Sequence, residues 1–194
     1  MFFICTDMSQ NDINSKYVEY LNEALSAENA AVDRITSRID ETPLSQIKQR
    51  YQQHLEETRN QQNRLSQIIT QLGEKPTDSK ANLPELNPPS TMMLKKTIKD
   101  TIKSVTDDKK DNPLPEEMEF LKIKQDVIIE GSEIVSYEAL IEVTKRIPNL
   151  NSEQIIPLLK QSLEEEMNMK KWCTDNMPMV VDNLLPKILS AISK

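Results

Sequence analysis

Residues 20–35 read YLNEALSAENAAVDRI. Leu21, Ala24, Leu25, Ala31, Val32 and Ile35 recur at intervals of three and four, the spacing of one face of an α-helix. Glu28 stands inside that stripe. A carboxylate facing a core is costly unless a cation or a dense set of hydrogen bonds meets it. The same anomaly recurs far along the chain, where Glu166 falls inside the stripe Ile155, Leu159, Leu163 and Cys173.

Working outward, the first helix is predicted over 12–39, with Asn11 or Asp12 as its cap and residues 1–11 outside the fold. Thr42 followed by Pro43 predicts a cap and first helical residue for a second helix, ending at Leu72 before a left-handed Gly73 and Pro76. Residues 74–90 carry Pro76, Pro84, Pro88 and Pro89 and predict a long connection. A short helix is predicted over 91–105, then a break at DDKKDNPLP. Pro115 opens a third helix to about Arg146. Asn151 or Ser152 caps a fourth, which runs to about Asn176. Pro178 separates it from a helical tail, 179–192, with Val180, Leu184, Leu185, Ile188 and Ile192 on one side and Pro186 as a kink or restart. Four long helices with a long central crossover predict an all-α, ferritin-like four-helix bundle over 12–176. The crossover holds the short extra helix, and 177–194 form the tail.

Composition agrees. The 194 residues hold two Gly and 4% aromatics, as expected of a helical protein. A net charge of −7 argues against a nucleic-acid surface, and the lysines at 95, 96, 99 and 103 are diluted by Asp100, Asp107 and Asp108. No apolar run reaches the ~20 residues of a membrane span. Cys5 and Cys173 are distant from each other and predict free thiols in a reducing cytoplasm.

The inward polar residues predict the chemistry. On a helical wheel Glu28, His54 and Glu166 point inward. Glu57 lies at a flank, Glu130 inside the edge of its stripe, Glu133 farther out, Glu138 inward, and Tyr137 at the edge as a core or half-core aromatic. Carboxylates and an imidazole from four facing helices are what a di-iron or di-manganese centre requires. Lys170, one turn after Glu166, offers a rival: a metal-free core in which its ammonium neutralises Glu166 and Glu130. One histidine and no glycine-rich loop leave little for a hydrolase or a phosphate site.

The segments SAENAAV (26–32), HLEETRNQQNRLSQII (54–69), LGEKP (72–76), EIVSYEAL (133–140) and LLKQSLEEE (158–166) resemble the YciE/YciF family of ferritin-like bacterial proteins. The resemblance spans about 17–170. It implies a usually dimeric bundle associated with stress responses, and a di-metal site fed by Glu28, His54, Glu57, Glu130, Glu133 and the pair Glu165 and Glu166. Two departures stand out. Where the family has EHYE this chain has EGSE, with Gly131, and Lys170 replaces an Asp common in the family. The expected function is a stress-associated protein binding two iron or manganese ions for metal handling or redox protection. Glu28 and Glu130 are expected to bridge or chelate, with His54, Glu57 and Glu166 as terminal ligands. The alternative is a non-catalytic, oligomerising stress protein with a polar core closed by Lys170.

Overall fold

The computed structural model describes residues 10–82 and 115–192. Every regular element among them is an α-helix: α1 (Gln10–Glu41), α2 (Ser45–Gln71), α3 (Pro115–Thr144), α4 (Ser152–Asp175) and α5 (Met177–Ile192). The chain divides into two compact units, Met1–Leu83 with Ile128–Lys171, and Pro84–Val127 with Trp172–Lys194.

The first unit holds α1, α2, most of α3 and most of α4. Its core joins Leu21 and Leu25 of α1, Leu65, Ile68 and Ile69 of α2, Leu140 and Ile141 of α3, and Ile155 and Leu159 of α4. Each such side chain contributes about 1.5–3 kcal/mol by leaving water. Near one end of this core Tyr17 donates its hydroxyl proton to Thr144, 2.6 Å away, which in turn donates to the Leu140 carbonyl. Helix α1 includes Gln10 and Asn11, two residues expected outside it. Asp12 in its first turn and Arg38 in its last both suit the helix dipole.

The start of α2 corrects the expected Thr42–Pro43 cap. The Thr42 amide bonds back to the Arg38 carbonyl at 3.1 Å, so Thr42 completes the ladder of α1. Its hydroxyl accepts the Leu44 amide at 3.3 Å, and extended Leu44 precedes Ser45 without a side-chain cap. The end of α2 is as expected. Gly73 has φ 84°, the Glu74 amide reaches the Ile69 carbonyl and the Gly73 amide reaches Thr70, the paired bonds of a Schellman ending.

The described part of the connection, 74–82, is tied to α1. Asn22 Oδ1 accepts the Thr77 amide at 2.8 Å, and the Ser26 carbonyl accepts the Ala81 amide at 2.8 Å. Asn29 donates to the carbonyls of Thr77 and Ser79, and accepts from Gln62 of α2. Between α3 and α4, Asn149 takes a left-handed φ of 60°, and the Asn151 carbonyl receives the first amide bonds of α4.

The second unit comprises, among described residues, the first part of α3, the end of α4 and α5. It buries Ile123, Cys173, Val180 and Leu184, with two acids, Glu119 and Asp126, that the sequence reading did not single out. Helix α5 starts two residues earlier than expected, with Pro178 inside its first turn, where a missing N–H costs little. It continues through Pro186. Leu185 is exposed, so only part of the expected apolar side is covered. The short helix predicted over 91–105 lies outside the described residues. No described helix is long and apolar enough to cross a membrane.

Candidate metal centre

In the first unit, α1, α2, α3 and α4 each send a polar group to one buried place. His54 of α2, Glu130 of α3 and Glu166 of α4 offer three ligand atoms all within 4.8 Å of one another. His54 Nε2 lies 3.2 Å from Glu130 Oε2 and 4.0 Å from Glu166 Oε2. An ion with bonds of about 2.1 Å separates adjacent ligand atoms by roughly 3 Å and opposed ones by about 4.2 Å. Both distances from His54 fall in that interval. Glu28 of α1 and Glu133 of α3 are buried alongside.

The surroundings orient these groups. Glu57 Oε2 lies 3.0 Å from His54 Nδ1 and takes a hydrogen bond from Arg50 at 3.0 Å, while Gln53 holds its other oxygen. An Nδ1–H donated to Glu57 leaves Nε2 facing Glu130 and Glu166, the arrangement that fixes a ligating imidazole. Gln61, seven residues after His54 and so on the same face, donates to Glu166 Oε1. Tyr137 donates to Glu28 Oε1 at 2.6 Å. Arg34 reaches across from α1, with its Nη2 3.0 Å from Glu130 Oε1 and 4.0 Å from Glu133 Oε2.

Whether a cation suits this set can be judged from its buried oxygens. Glu133 Oε1, Glu166 Oε2 and Gln61 Oε1 have no hydrogen-bond partner, and Glu130 Oε2 meets only the His54 ring, at 3.2 Å and without hydrogen-bond geometry. Three carboxylate oxygens stripped of water beside an imidazole are short of positive charge and protons, and a bound cation corrects that. The residues therefore fit a metal ion.

Electrostatics say the same in another form. Burial alone would lower the His54 pKa, but Glu130 and Glu57 outweigh it and raise it to about 9. Burial pushes Glu130 up, and His54 and Arg34 more than reverse that, holding it well below the carboxylate range. Burial raises Glu28 to about 7, against a smaller pull from Tyr137 and His54. Burial and the neighbouring carboxylates drive Glu133 and Glu166 well above the usual value. Without metal, protons stand in for the missing cation.

The structure brings together Glu28, His54, Glu130, Glu133 and Glu166, with Glu57 behind His54. Two expectations need correction, while Tyr137, read as a core or half-core aromatic at the edge of its stripe, is buried. Glu133, placed farther out by the wheel, is 6% exposed. Glu138, expected inward, is exposed. Glu165 faces away from the cluster to an ion pair with Arg64. Lys170 lies beside Gly131, its Nζ 3.4 Å from where a Cβ there would sit. Beside His54, Glu130 meets the cation Arg34, which sequence reasoning missed. The signal was available: helical side chains lean toward the N-terminus, and Ala30 and Ala31 one turn back leave room for a long stem.

Solved structures share this fold. A protein (XCC3681) from Xanthomonas campestris pv. campestris is 16% identical, covering 91% of this chain and 99% of its own, with a TM-score of 0.66. Bacterioferritin from Desulfovibrio desulfuricans, described with a diiron site, is 16% identical, covering 95% and 91%, with a TM-score of 0.64. The E. coli stress protein YciF is 22% identical, covering 88% and 97%, with a TM-score of 0.58. At these identities the likeness establishes a ferritin-like helical fold, as the sequence predicted. No curated protein matches the sequence significantly. The model of the family described as "Domain of unknown function (DUF892)" matches residues 12–185, and the chain belongs to that family.

Proposed function

We infer, from the likeness to the stress protein YciF and the geometry of the buried cluster, that the protein is a stress-associated, ferritin-like metal protein. Its centre takes iron or manganese on His54 Nε2, Glu130 Oε2 and Glu166 Oε2, with Glu28 and Glu133 adjoining. The observation that carries this reading is the convergence of partnerless, buried carboxylate oxygens on an imidazole nitrogen. Carboxylate oxygen and imidazole nitrogen suit these metals. A redox-active ion held there would supply one-electron chemistry toward an oxidant. The chain's own part is to hold the ligands dry and oriented. Glu57, expected from sequence as a ligand, serves instead to hold Nδ1, backed by Arg50. The reading extends to a homodimer, supported by the resemblance to YciE/YciF proteins, and to a reducing cytoplasm, supported by the two distant cysteines.

A second reading has a specific observation in its favour. Arg34 and His54 contact Glu130 without any metal, so a polar core could be held by ion pairs in a purely structural stress protein. Lys170, the cation first expected in that role, would assist from beside Gly131. Elemental analysis of protein from iron- or manganese-supplemented cells separates the two. Loading that persists through purification and vanishes in Glu130→Ala supports the metal centre and excludes the structural reading. Trace metal, the same in wild type and Glu130→Ala, excludes the metal centre.

A further inference from the structure

We propose that Arg34 occupies the place of a second cation, so that this centre loads one divalent ion per chain rather than a pair. The proposal rests on the metal reading above and concerns its stoichiometry. To bridge two ions a carboxylate must lend one oxygen to each. Glu130 has a single oxygen to lend. Its Oε1 is held by the Arg34 guanidinium at 3.0 Å, and only Oε2 faces His54 and Glu166. Glu133 Oε2 also lies 4.0 Å from the same Arg34 nitrogen. Glu28, the other expected bridge, has its Oε1 engaged by the Tyr137 hydroxyl at 2.6 Å.

The guanidinium thus sits between Glu130 and Glu133, where a second ion would need its ligands. On the other side, Glu130 Oε2 meets two partners, His54 Nε2 and Glu166 Oε2, and neither carboxylate oxygen has a hydrogen bond. Charge follows the same division. Glu28, Glu130, Glu133 and Glu166 carry four negative charges when ionised, the match for two divalent ions. Arg34, with its side chain only 10% exposed, already balances one of them. One divalent ion leaves a single negative charge, which a proton kept on one carboxyl removes; two would leave a single positive charge, which a guanidinium that cannot shed its proton keeps in place.

The test counts ions. The full chain, stripped with a chelator, is titrated with Mn²⁺ alone; bound metal is counted after desalting and its paramagnetic resonance recorded. One ion per chain with the six-line signal of an isolated Mn²⁺ is expected for the wild type and for Arg34→Lys. Arg34→Ala is expected to take up a second ion and to show the broadened signal of a coupled pair. A coupled pair in the wild type overturns the proposal while leaving the metal centre standing. So does a single ion in a folded Arg34→Ala. If Arg34→Ala does not fold, Arg34→Gln is used, and the wild-type signal already decides the count. No bound Mn²⁺ in any variant overturns the metal reading and this proposal with it.

Discussion

Raising the pH from about 5 to 8 is expected to weaken the metal-free protein through Glu28. Burial holds this carboxyl at about 7, against 4.5 for an exposed one, with Tyr137 and His54 pulling in the other direction. The folded chain therefore keeps a proton on Glu28 in a range where the unfolded chain has released it. The stability this confers is complete below pH 4.5 and is lost as the pH climbs through about 7. At about 1.4 kcal/mol for each pH unit, the full loss is roughly 3 kcal/mol. His54 acts in the same sense at higher pH. Its proton, held to about 9, stabilises fully below 6.5 and ceases to do so as the pH rises through about 9. Glu130 has the opposite sign, because its pKa is depressed, and its share is lost only below pH 4.5. Urea denaturation in chelator at about pH 5, 6.5 and 8 measures the effect, with Glu28→Gln as reference because glutamine keeps the shape and cannot ionise. With a denaturant slope of about 2 kcal/mol/M, the wild-type midpoint should fall by about 1.5 M relative to the variant between the extremes. Equal pH slopes in the two proteins, or a wild type that gains on the variant as pH rises, would refute the reasoning.

Gly131→Ala should stabilise by about 0.5–1 kcal/mol, since the new methyl meets only the flexible end of Lys170 and a helical glycine is replaced; a lowered melting temperature would contradict this. Gly73→Ala should cost about 1 kcal/mol, because φ 84° disfavours any side chain even though the space is open, and a thermal melt reads it. Ile68→Ala, at a fully buried position, should cost about 2–5 kcal/mol in urea unfolding, whereas Val135→Ala, 62% exposed, should stay within about 0.5 kcal/mol. Similar losses at the two positions would mean the core lies elsewhere.

The helices were legible where one face differs from the rest. The three-and-four rhythm of α1 located Glu28, and the stripe of α4 located Glu166; both are buried as read. Gly73 announced the end of α2 because its reason is local to the backbone. Helix α3 was less legible. Its apolar residues, from Phe120 and Ile123 through Ile128 and Ile129 to Val135 and Ile141, lie around much of its circumference, so its inward direction is ambiguous from the wheel. Glu133 and Glu138 were misplaced for that reason. Arg34 was missed for another. A wheel records where a Cα sits, while a guanidinium several bonds away reaches partners on a different helix. Thr42 shows a third limit, since either neighbouring helix could claim it, and only the bond to Arg38 settles which.

The clasp of 74–82 on α1 bears on how the centre keeps its geometry. Asn29 follows Glu28 in the chain, and Gln62 follows Gln61. The hydrogen bond between Asn29 and Gln62 lies outside the cluster, while Glu28 and Gln61 turn inward. Consecutive residues on a helix point about 100° apart, so the outer pair acts as a detent on rotation. If α1 rolled by one residue, Asn29 would leave the Thr77 and Ser79 carbonyls as Glu28 left the centre, and if α2 rolled, Gln62 would lose Asn29 as Gln61 left it. In hydrogen-exchange terms, the Thr77 and Ala81 amides are donors outside any helix whose acceptors are on α1. Their exchange should follow the opening of that helix rather than the fast rate of a surface loop.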